Sequence, residues 1–317
     1  MKVLITGGAG FIGSHLAQHY QELGAEVTIL DNFSTGSISN LDNFSFQGMK
    51  FTGDIRNVEL VKELVSASDL VLHMAAALGV STIMNSPLES ISTNIFGSEI
   101  VLRAASKFKK RILIASTSEI YGKNPKQPLN EDDDRVIGTP QNIRWSYSDS
   151  KAVEEAMARA LNLEEGLAVT TVRFFNTVGP RQTGKYGMVV PRFVQAALKN
   201  EDLRVYGDGT QSRVFCHVSD AVRAVSELLQ NPLSIGEVYN VGGQGEISIN
   251  ELAKKVIFMI NSSSRIKHIP YDQIYPIGFE DMQRRVPNTS KINALTGWTP
   301  RLQIEDSISD IVKYFSI

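Results

Sequence analysis

A glycine-rich turn directly after the first predicted strand constrains the fold of this chain most. Lys2–Thr6 has the apolar pattern of a buried strand, and Gly7, Gly10 and Gly13 follow before a helix begins near Ser14. In a G-x-x-G-x-x-G turn, the first glycine permits the tight turn and the second lets a pyrophosphate approach bare backbone. The third lets the helix pack against the sheet. Free N–H groups at the helix N-terminus then favour phosphate, so the stretch predicts a dinucleotide-binding unit.

A carboxylate at the end of the second predicted strand gives the glycine turn its expected context. Residues 26–30 form an apolar strand that ends in Asp31. This position lies roughly 20 residues after the glycines, where a carboxylate can accept hydrogen bonds from an adenosine ribose. Asn32 follows, and no arginine stands there to pair with a 2′-phosphate. The pattern therefore favours NAD over NADP.

Composition and charge exclude several classes of partner. The chain has 317 residues, 42% of them hydrophobic, with a net charge of −2, so neither nucleic acid nor an anionic membrane is indicated. Its one cysteine, Cys216, excludes an intrachain disulfide, and we find no metal-binding cluster of Cys and His. The first strand begins at residue 2 and no apolar run reaches membrane-spanning length, so a cytoplasmic protein is expected. The four acids of residues 131–134 are expected to form a solvated loop face.

Strands and helices alternate through residue 175, which predicts an α/β fold with a Rossmann-type, doubly wound parallel sheet. Beyond that point the composition changes, and we expect a smaller, interleaved C-terminal lobe that binds the substrate. We assign residues 1–175 to the NAD-binding domain, which the chain re-enters at about residues 214–242. Residues 176–213 and 243–317 are assigned to the substrate lobe.

Two further strand ends carry residues suited to a bound cofactor. Asp54 follows the third predicted strand, where its carboxylate can reach an adenine amino group while Ile55 covers the ring face. An alternative interpretation makes Asp54 a helix N-cap. Ala75 and Ala76 follow the fourth strand, and small residues at that edge of an open α/β sheet leave space for a ring.

Residues 87–109 are predicted to form one long helix with a polar interruption. Asn94 places an amide among the apolar positions of that helix. A buried amide needs hydrogen-bond partners, so we expect Asn94 to bond near the cofactor.

A tyrosine and a lysine one helical turn apart form the candidate proton-transfer pair. Tyr147 and Lys151 are predicted to share one face of a helix. The lysine ammonium, together with an oxidised nicotinamide, would lower the tyrosine pKa from about 10 towards working pH. The phenolate could then take a proton from a sugar hydroxyl, with Thr117 hydrogen-bonded to the same oxygen.

With these motifs in place, the chain resembles the extended short-chain dehydrogenase/reductases that act on nucleotide sugars as epimerases, dehydratases or decarboxylases. The resemblance runs nearly end to end. It rests on the glycine turn, Asp31, Asp54, Ala75-Ala76, Asn94, residues 116–122, the Tyr147/Lys151 pair, residues 173–181, residues 207–209 and Arg213. It implies NAD as cofactor, a UDP-linked nucleotide sugar as substrate, and a homodimer formed through the helices that follow Pro87 and Tyr147.

The resemblance also implies which residues contact each ligand. Asn176 and Arg213 would hold the substrate diphosphate, and the segment around residues 189–193 would pack on the nucleotide base. The implied substrate contacts are Arg144, Asn176, Val190, Arg192, Tyr206, Arg213 and Arg285. The implied cofactor contacts are Gly7, Gly10, Phe11, Ile12, Gly13, Asp31, Asn32, Asp54, Ile55, Ala75, Ala76, Asn94, Tyr147 and Lys151.

The residues after Thr117 bear on which reaction follows oxidation of the sugar at C4. Hexose 4,6-dehydratases of the family most often carry Asp-Glu there, whereas this chain has Ser118-Glu119, as UDP-glucuronate decarboxylases do. Arg144, three residues before Tyr147, and the tail at residues 278–285 are also similar to those decarboxylases. Dehydratases acting on GDP-mannose share the Thr-Ser-Glu set.

We therefore expect a UDP-glucuronate decarboxylase, since oxidation at C4 makes a β-keto acid that loses carbon dioxide readily. Tyr147, Lys151 and Thr117 would serve the oxidation, Ser118 and Glu119 the second step, and Arg144 would bind a carboxylate. The alternatives are a UDP-sugar 4-epimerase acting on UDP-glucose, UDP-N-acetylglucosamine or UDP-glucuronate, a 4,6-dehydratase, and a non-catalytic NAD-binding protein.

Overall fold

The computed structural model describes residues 1–184, 188–274, 280 and 282–316. Part of the tail that supported the decarboxylase resemblance, Gly278, Phe279 and Asp281, lies outside the described residues. None of the helices in the described ranges combines the length and the apolar character needed to cross a membrane.

Strands supply the core of the fold, and helices follow most of them. The described strands are β1 (Lys2–Thr6), β2 (Glu26–Asp31), β3 (Met49–Thr52), β4 (Leu70–His73), β5 (Arg111–Thr117), β6 (Val169–Phe174), β7 (Thr177–Val178), β8 (Leu203–Tyr206), β9 (Ser212–Val214), β10 (Cys216–His217), β11 (Val238–Val241), β12 (Glu246–Ser248) and β13 (Ile266–Ile269). The described α-helices are α1 (Phe11–Glu22), α2 (Ser39–Asp42), α3 (Val58–Ser66), α4 (Val80–Asn85), α5 (Pro87–Ser92), α6 (Ser98–Lys107), α7 (Ser146–Glu165), α8 (Val189–Leu198), α9 (Val218–Gln230), α10 (Ile249–Ile260), α11 (Ser290–Thr296) and α12 (Ile304–Phe315). Short 3₁₀ turns occur at Ser118–Tyr121, Ile143–Trp145, Pro232–Ser234 and Tyr271–Gln273.

Seven parallel strands form the central sheet, in the order β11-β6-β5-β4-β1-β2-β3. The predicted doubly wound parallel sheet is therefore confirmed. The strand order reverses between β1 and β4, and the carboxyl ends on either side of such a switch point leave a crevice for ligands.

Helices cover both faces of this sheet, because alternate strand residues point to opposite sides. Ile5 packs in a buried cluster with Leu16 of α1 and Val225 of α9. Its neighbour Leu4 belongs to the cluster on the other face, together with Val101 of α6. Burial on both faces explains why the strands read as continuous apolar runs.

A third buried cluster lies in the C-terminal part of the chain. It joins α8, α10 and α12 through residues such as Phe193, Leu252 and Ile308. Two small sheets accompany these helices, a parallel pair of β8 with β13 and an antiparallel pair of β9 with β12. Between these elements the chain returns to the central sheet at β11, so the C-terminal part is interleaved with the sheet. The exact boundaries of the lobes stay a prediction.

Close packing at the turn after β1 explains two of its glycines. Gly7 has a φ of +68°, and a Cβ there would lie 2.7 Å from the backbone nitrogen of Ala75. A Cβ on Gly13 would lie 2.1 Å from the carbonyl oxygen of Gly7. A side chain at either position would push the helix or the neighbouring strand end away from the turn.

The predicted long helix over residues 87–109 is confirmed as far as Lys107, with a π turn at its polar interruption. The structure has α5, a π turn at Thr93–Gly97, and then α6. Asn94 lies in the π turn, where its Oδ1 accepts a bond from the Ala77 N–H (2.8 Å) and its Nδ2 donates to the Ala77 carbonyl (3.0 Å). The wider turn accommodates a polar residue whose bonds leave the helix, as π turns at functional sites often do.

The expectation of a solvated face at residues 131–134 was wrong for Glu131. This residue is partly buried, and its Oε1 accepts a 2.8 Å hydrogen bond from the backbone N–H of Asn240. Burial raises the pKa of the Glu131 carboxyl, although that bond opposes the shift. The loop is therefore hydrogen-bonded to β11. A run of four acids in the sequence does not predict this long-range bond.

Candidate active site

A cleft of about 1050 Å³ opens at the carboxyl ends of the central strands. Its walls come from the glycine turn, the ends of β2, β4, β5 and β6, and the C-terminal elements. The predicted site residues on these walls are Gly7, Gly10, Phe11, Ile12, Gly13, Asp31, Asn32, Ile55, Ala75, Ala76, Thr117, Ser118, Glu119, Arg144, Tyr147, Lys151, Asn176, Val190, Arg192, Tyr206, Arg213 and Arg285. Residues more than 250 positions apart in the sequence thus share one site.

Two predicted cofactor residues are not among those that line the cleft. Asp54 forms an ion pair with Arg56 (Nη2 to Oδ2, 2.7 Å), and the hydrogen bond from Arg56 is the main reason why the pKa of Asp54 is lowered. Its alternative interpretation as a helix N-cap was wrong, because Asn57 caps α3. Asn94 is fully buried behind the Ala77 backbone. Direct contact of Asp54 or Asn94 with a cofactor stays a prediction.

The cofactor half of the cleft has the features that a dinucleotide requires. Asp31 sits at the end of β2, where its Oδ2 accepts a bond from the Ala9 N–H (2.9 Å) and its Oδ1 one from Phe33 N–H (2.8 Å). Burial raises the pKa of Asp31, and these backbone donors oppose the shift. Bare backbone at the glycine turn, this carboxylate and the small residues after β4 together fit NAD.

The candidate proton-transfer residues meet at the floor of the cleft. The Tyr147 side chain hydrogen-bonds that of Thr117. Lys151 is 2% exposed and donates 2.7 Å bonds to the Ala115 carbonyl and to Glu154 Oε2. All three predicted residues line the cleft, and Lys151 has an acidic partner that the sequence analysis did not consider.

The expected lowering of the Tyr147 pKa does not come from the protein's own groups. Burial raises the pKa of Tyr147 above its ordinary value of 10, and the charges of Glu119 and Glu154 raise it further. The hydrogen bond with Thr117 opposes them only in part. Tyr147 is accordingly protonated at neutral pH in this structure, and its ionisation needs additional positive charge beside it.

Buried bonds fix the start of α7 against the ends of β5 and β6. The Ser148 hydroxyl donates to the Glu119 carbonyl (2.9 Å). Arg173 of β6 makes a two-bond contact with Glu155 of α7 (Nε to Oε1, 2.9 Å, and Nη2 to Oε2, 2.7 Å). Glu155 also accepts a bond from the Ser116 hydroxyl of β5. The helix that carries Tyr147 is thus held in register with the strand that carries Thr117.

Glu119 lies between two arginines at the centre of the cleft. Arg144 Nη1 approaches its Oε2 to 2.6 Å, and Arg285 Nη2 approaches its Oε1 to 2.9 Å. Burial alone would raise the pKa of Glu119, but Arg144 and Arg285, with a smaller effect of Arg213, lower it to about 2. Three cations therefore act on one carboxylate, which leaves this wall of the cleft with excess positive charge.

Two long-range contacts hold Arg144 and Arg285 beside Glu119. The indole N–H of Trp145, next to Arg144, donates a 3.0 Å bond to Glu280, which also pairs with Lys123. Arg285 precedes Val286, whose carbonyl accepts a 2.8 Å bond from Leu129 N–H. The Nη1 atom of Arg285 also donates to the Ser118 hydroxyl (3.1 Å). The site is thus completed by a tail segment laid across the loop that precedes α7.

The opposite end of the cleft combines a cation with aromatic and apolar surfaces. The guanidinium of Arg192 lies 4.0 Å from the ring centre of Tyr206, and Val190 is fully buried beside it. Asn176 follows β6 and donates a 3.0 Å bond to the Val214 carbonyl, next to Arg213. Flat and cationic groups of this kind can contact a base and a diphosphate.

The residues that line the cleft without a role in the sequence analysis include Arg181, Gln182, Gln211 and Tyr271. Gln211 Nε2 donates to the Tyr271 hydroxyl (3.0 Å) and to the Tyr206 carbonyl (3.1 Å). Arg181 ends the recognised motif at residues 173–181 and Gln182 follows it directly, which was the available signal. Gln211 and Tyr271 had no such signal, because only the pairing of β8 with β13 brings them together.

Comparison with known proteins shows the family to which this chain belongs. The sequence pattern of the family described as GDP-mannose 4,6 dehydratase matches residues 4–311. The UDP-N-acetyl-alpha-D-glucosaminuronate decarboxylase of Bacillus cytotoxicus is 42% identical over 315 residues, covering 99% of this chain and 97% of that protein. The UDP-glucuronic acid decarboxylase 1 of Danio rerio is 35% identical over 99% of this chain and 72% of its own length.

Among solved structures, the UDP-glucuronic acid 4-epimerase from Bacillus cereus, in complex with UDP-glucuronic acid and NAD, has a TM-score of 0.89 with this chain. Its sequence identity is 25%, and the match covers 100% of this chain and 99% of that one. The family resemblance predicted from the motifs is therefore confirmed.

Replacing Glu119 tests the electrostatics of the arginine pair. Because the pKa of Glu119 falls from 4.5 to about 2 on folding, its ionisation stabilises the protein above about pH 5. This contribution, on the order of 3 kcal/mol, is lost as the pH falls through about 2. We expect Glu119→Gln to be less stable than the natural protein at neutral pH, with the gap closing towards acid pH in urea unfolding. The exposed Glu164→Gln is the control, and a gap independent of pH would contradict the assignment.

Proposed function

Because the chain belongs to the NAD-dependent nucleotide-sugar epimerase/dehydratase family, we propose that it is an NAD-dependent decarboxylase of a UDP-linked hexuronate. The observation that carries the proposal is the cluster of Arg144, Arg285 and Glu119 beside Thr117 and Tyr147. Two guanidinium groups share one carboxylate there, so a second carboxylate can be bound. A hexuronate places its C6 carboxylate two bonds from the C4 that Tyr147 would serve.

The chemistry follows from that adjacency. The chemistry that NAD supplies when bound is reversible hydride transfer at C4. Once C4 is a ketone, the C6 carboxylate is that of a β-keto acid, and the C5–C6 bond breaks with its electron pair moving to the C4 oxygen. Hydrogen bonds from Tyr147 and Thr117 to that oxygen stabilise the enolate. Protonation at C5 and reduction at C4 then give a UDP-pentose and carbon dioxide.

Glu119 has an electrostatic role in this scheme. With its pKa lowered to about 2, Glu119 stays ionised at neutral pH and is a poor proton donor. It instead orients Arg144 and Arg285 and balances part of their charge. The carbon dioxide formed is neutral and keeps no ion pair with those arginines, so it can leave the cleft.

Relatives bear on the choice among reactions and on the sugar. The 4-epimerase that acts on UDP-glucuronic acid shares the fold at 25% identity, whereas the decarboxylases share 42% and 35%. Epimerisation of a UDP-hexuronate is therefore the second candidate. The higher identity of the UDP-N-acetylglucosaminuronate enzyme leads us to expect that the 2-acetamido sugar is preferred over UDP-glucuronate.

We further propose that the chain forms a homodimer through α5, the π turn and α7. Leu88 and Phe96 are 79% and 58% exposed, and Val153 of the neighbouring α7 is 41% exposed. Several large exposed apolar side chains on adjoining helices support an interface.

Incubation with NAD and each UDP-hexuronate tests the proposed reaction. We expect NMR to show a UDP-pentose with release of carbon dioxide, faster for UDP-N-acetylglucosaminuronate than for UDP-glucuronate. Tyr147→Phe should lower the rate at least about 100-fold, because the proton of the C4 hydroxyl loses its acceptor. NAD should still bind to this variant. A UDP-hexuronate inverted at C4 as sole product would overturn the proposal in favour of epimerisation.

Removing one guanidinium tests recognition of the carboxylate. We expect Arg144→Met to weaken binding of UDP-glucuronate by about 10- to 100-fold in calorimetry, because one charge-assisted contact is lost. Binding of UDP-glucose, which has no carboxylate, should change little. The matched control is Arg159→Met on the exposed face of α7. Equal weakening of both ligands would contradict a carboxylate contact.

Charged substitutions test the proposed dimer. Leu88→Glu combined with Phe96→Glu should convert the dimer into monomers, because carboxylates cannot be buried unpaired in the interface. Phe258→Glu is the control, since Phe258 is 85% exposed on α10. Sedimentation velocity distinguishes the species, and a double variant that stays dimeric would exclude this surface.

A further inference from the structure

A buried carboxylate lies one helical turn beyond the candidate proton-transfer pair. Glu154 is 1% exposed, and its Oε2 accepts a 2.7 Å hydrogen bond from Lys151 Nζ. The other described bond of that ammonium goes to a backbone carbonyl, Ala115. Burial raises the pKa of the Glu154 carboxyl, and the charge and hydrogen bond of Lys151 oppose that shift. Glu154 is the acid paired with Lys151, a pairing that neither the sequence motif nor the proposed reaction uses.

A chain of hydrogen bonds from the first strand ends at this carboxylate. The Ser98 hydroxyl bonds the Glu154 carboxylate, and a carboxylate accepts, so Ser98 Oγ is left to accept from His73 Nε2 (2.9 Å). His73 Nδ1 then accepts from the Thr6 hydroxyl (2.7 Å), whose oxygen also accepts from the Ala75 N–H (3.3 Å). Each group gives its proton onward in the same direction, which keeps His73 neutral and delivers a donor to Glu154.

We propose that Glu154 is a positioning residue: it holds the Lys151 ammonium at the floor of the cleft and offsets the positive charge that Lys151 presents to Tyr147. The proposal rests on the proposed function only in taking Tyr147 as the base. Glu154 contacts Lys151 directly, and its negative charge also opposes ionisation of Tyr147 on the same helix. The protein thereby keeps Tyr147 protonated until other positive charge, such as that of an oxidised nicotinamide, enters the cleft.

Other charged groups near the pair do not replace this effect. Glu119, from the turn after β5, also opposes ionisation of Tyr147, but its charge is matched by Arg144 and Arg285. Glu155 of α7 is paired with Arg173. Burial and the nearby Lys151 lower the pKa of His73 to about 3, so it is neutral. Glu154 is thus the acid that faces Lys151 directly.

Glu154→Gln keeps the shape of the side chain and removes its charge. We expect the acid limb of the pH–rate profile for cofactor reduction, measured with a UDP-hexuronate, to move to lower pH in this variant. Glu154→Asp keeps the negative charge, so its acid limb should lie at a pH close to that of the natural protein. Glu164→Gln, exposed on the same helix, is the control. Loss of rate by the same factor at every pH, or a limb that moves to higher pH, would overturn the proposal.

A second measurement is independent of the reaction. The difference in tyrosinate absorbance between each protein and its Tyr147→Phe counterpart reports ionisation of Tyr147 in the complex with NAD. We expect ionisation at lower pH in Glu154→Gln, and Glu154→Ala serves if the glutamine variant does not fold. If no UDP-hexuronate is turned over, the proposed function fails while this titration still tests Glu154. An unchanged titration would refute the role of Glu154 alone.

Discussion

The strands of the central sheet all run parallel, and so their carboxyl ends meet along one edge. This constraint brings the glycine turn after β1, Asp31 after β2 and Thr117 at the end of β5 into one cleft. It also requires helices on both faces, which bury most residues of the inner strands, such as β4 and β6. The candidate catalytic groups then stand on elements whose relative positions the backbone hydrogen bonds of the sheet determine.

Charge compensation below the cleft is the second organising feature. Arg173 pairs with Glu155, Lys151 with Glu154, and Glu119 with two arginines. Buried charges of this kind are unfavourable unless each has a partner, so removal of any one leaves another uncompensated. The Glu119 cluster differs from the other two pairs because its cations exceed its anions. The excess positive charge lies where a bound anionic substrate would neutralise it.

Local patterns predicted much of this molecule, and their failures have physical causes. The glycine spacing, Asp31 and the Tyr147/Lys151 pair are set within single strand–turn–helix units, and the structure places them in one cleft. The cofactor contact of Asp54 stays a prediction, but no local pattern predicted the ion pair of its carboxylate with Arg56. Apolar periodicity predicted the long helix around Asn94, but it did not predict the π turn that accompanies the bonds from the Asn94 amide to Ala77. Such competition between partners is not encoded in residue spacing.

The sequence by itself determined the fold class, the family and most of the candidate site residues, because periodicity and short motifs depend on neighbours in the chain. Only the tertiary structure decided which charges meet. Arg144, Arg285 and Glu119 converge because a tail segment crosses the loop before α7. Lys151 and Glu154 stand three residues apart on α7, and the tertiary structure decided that this pair is buried. The pKa of a group depends on burial and on charges from distant segments, and folding sets these together.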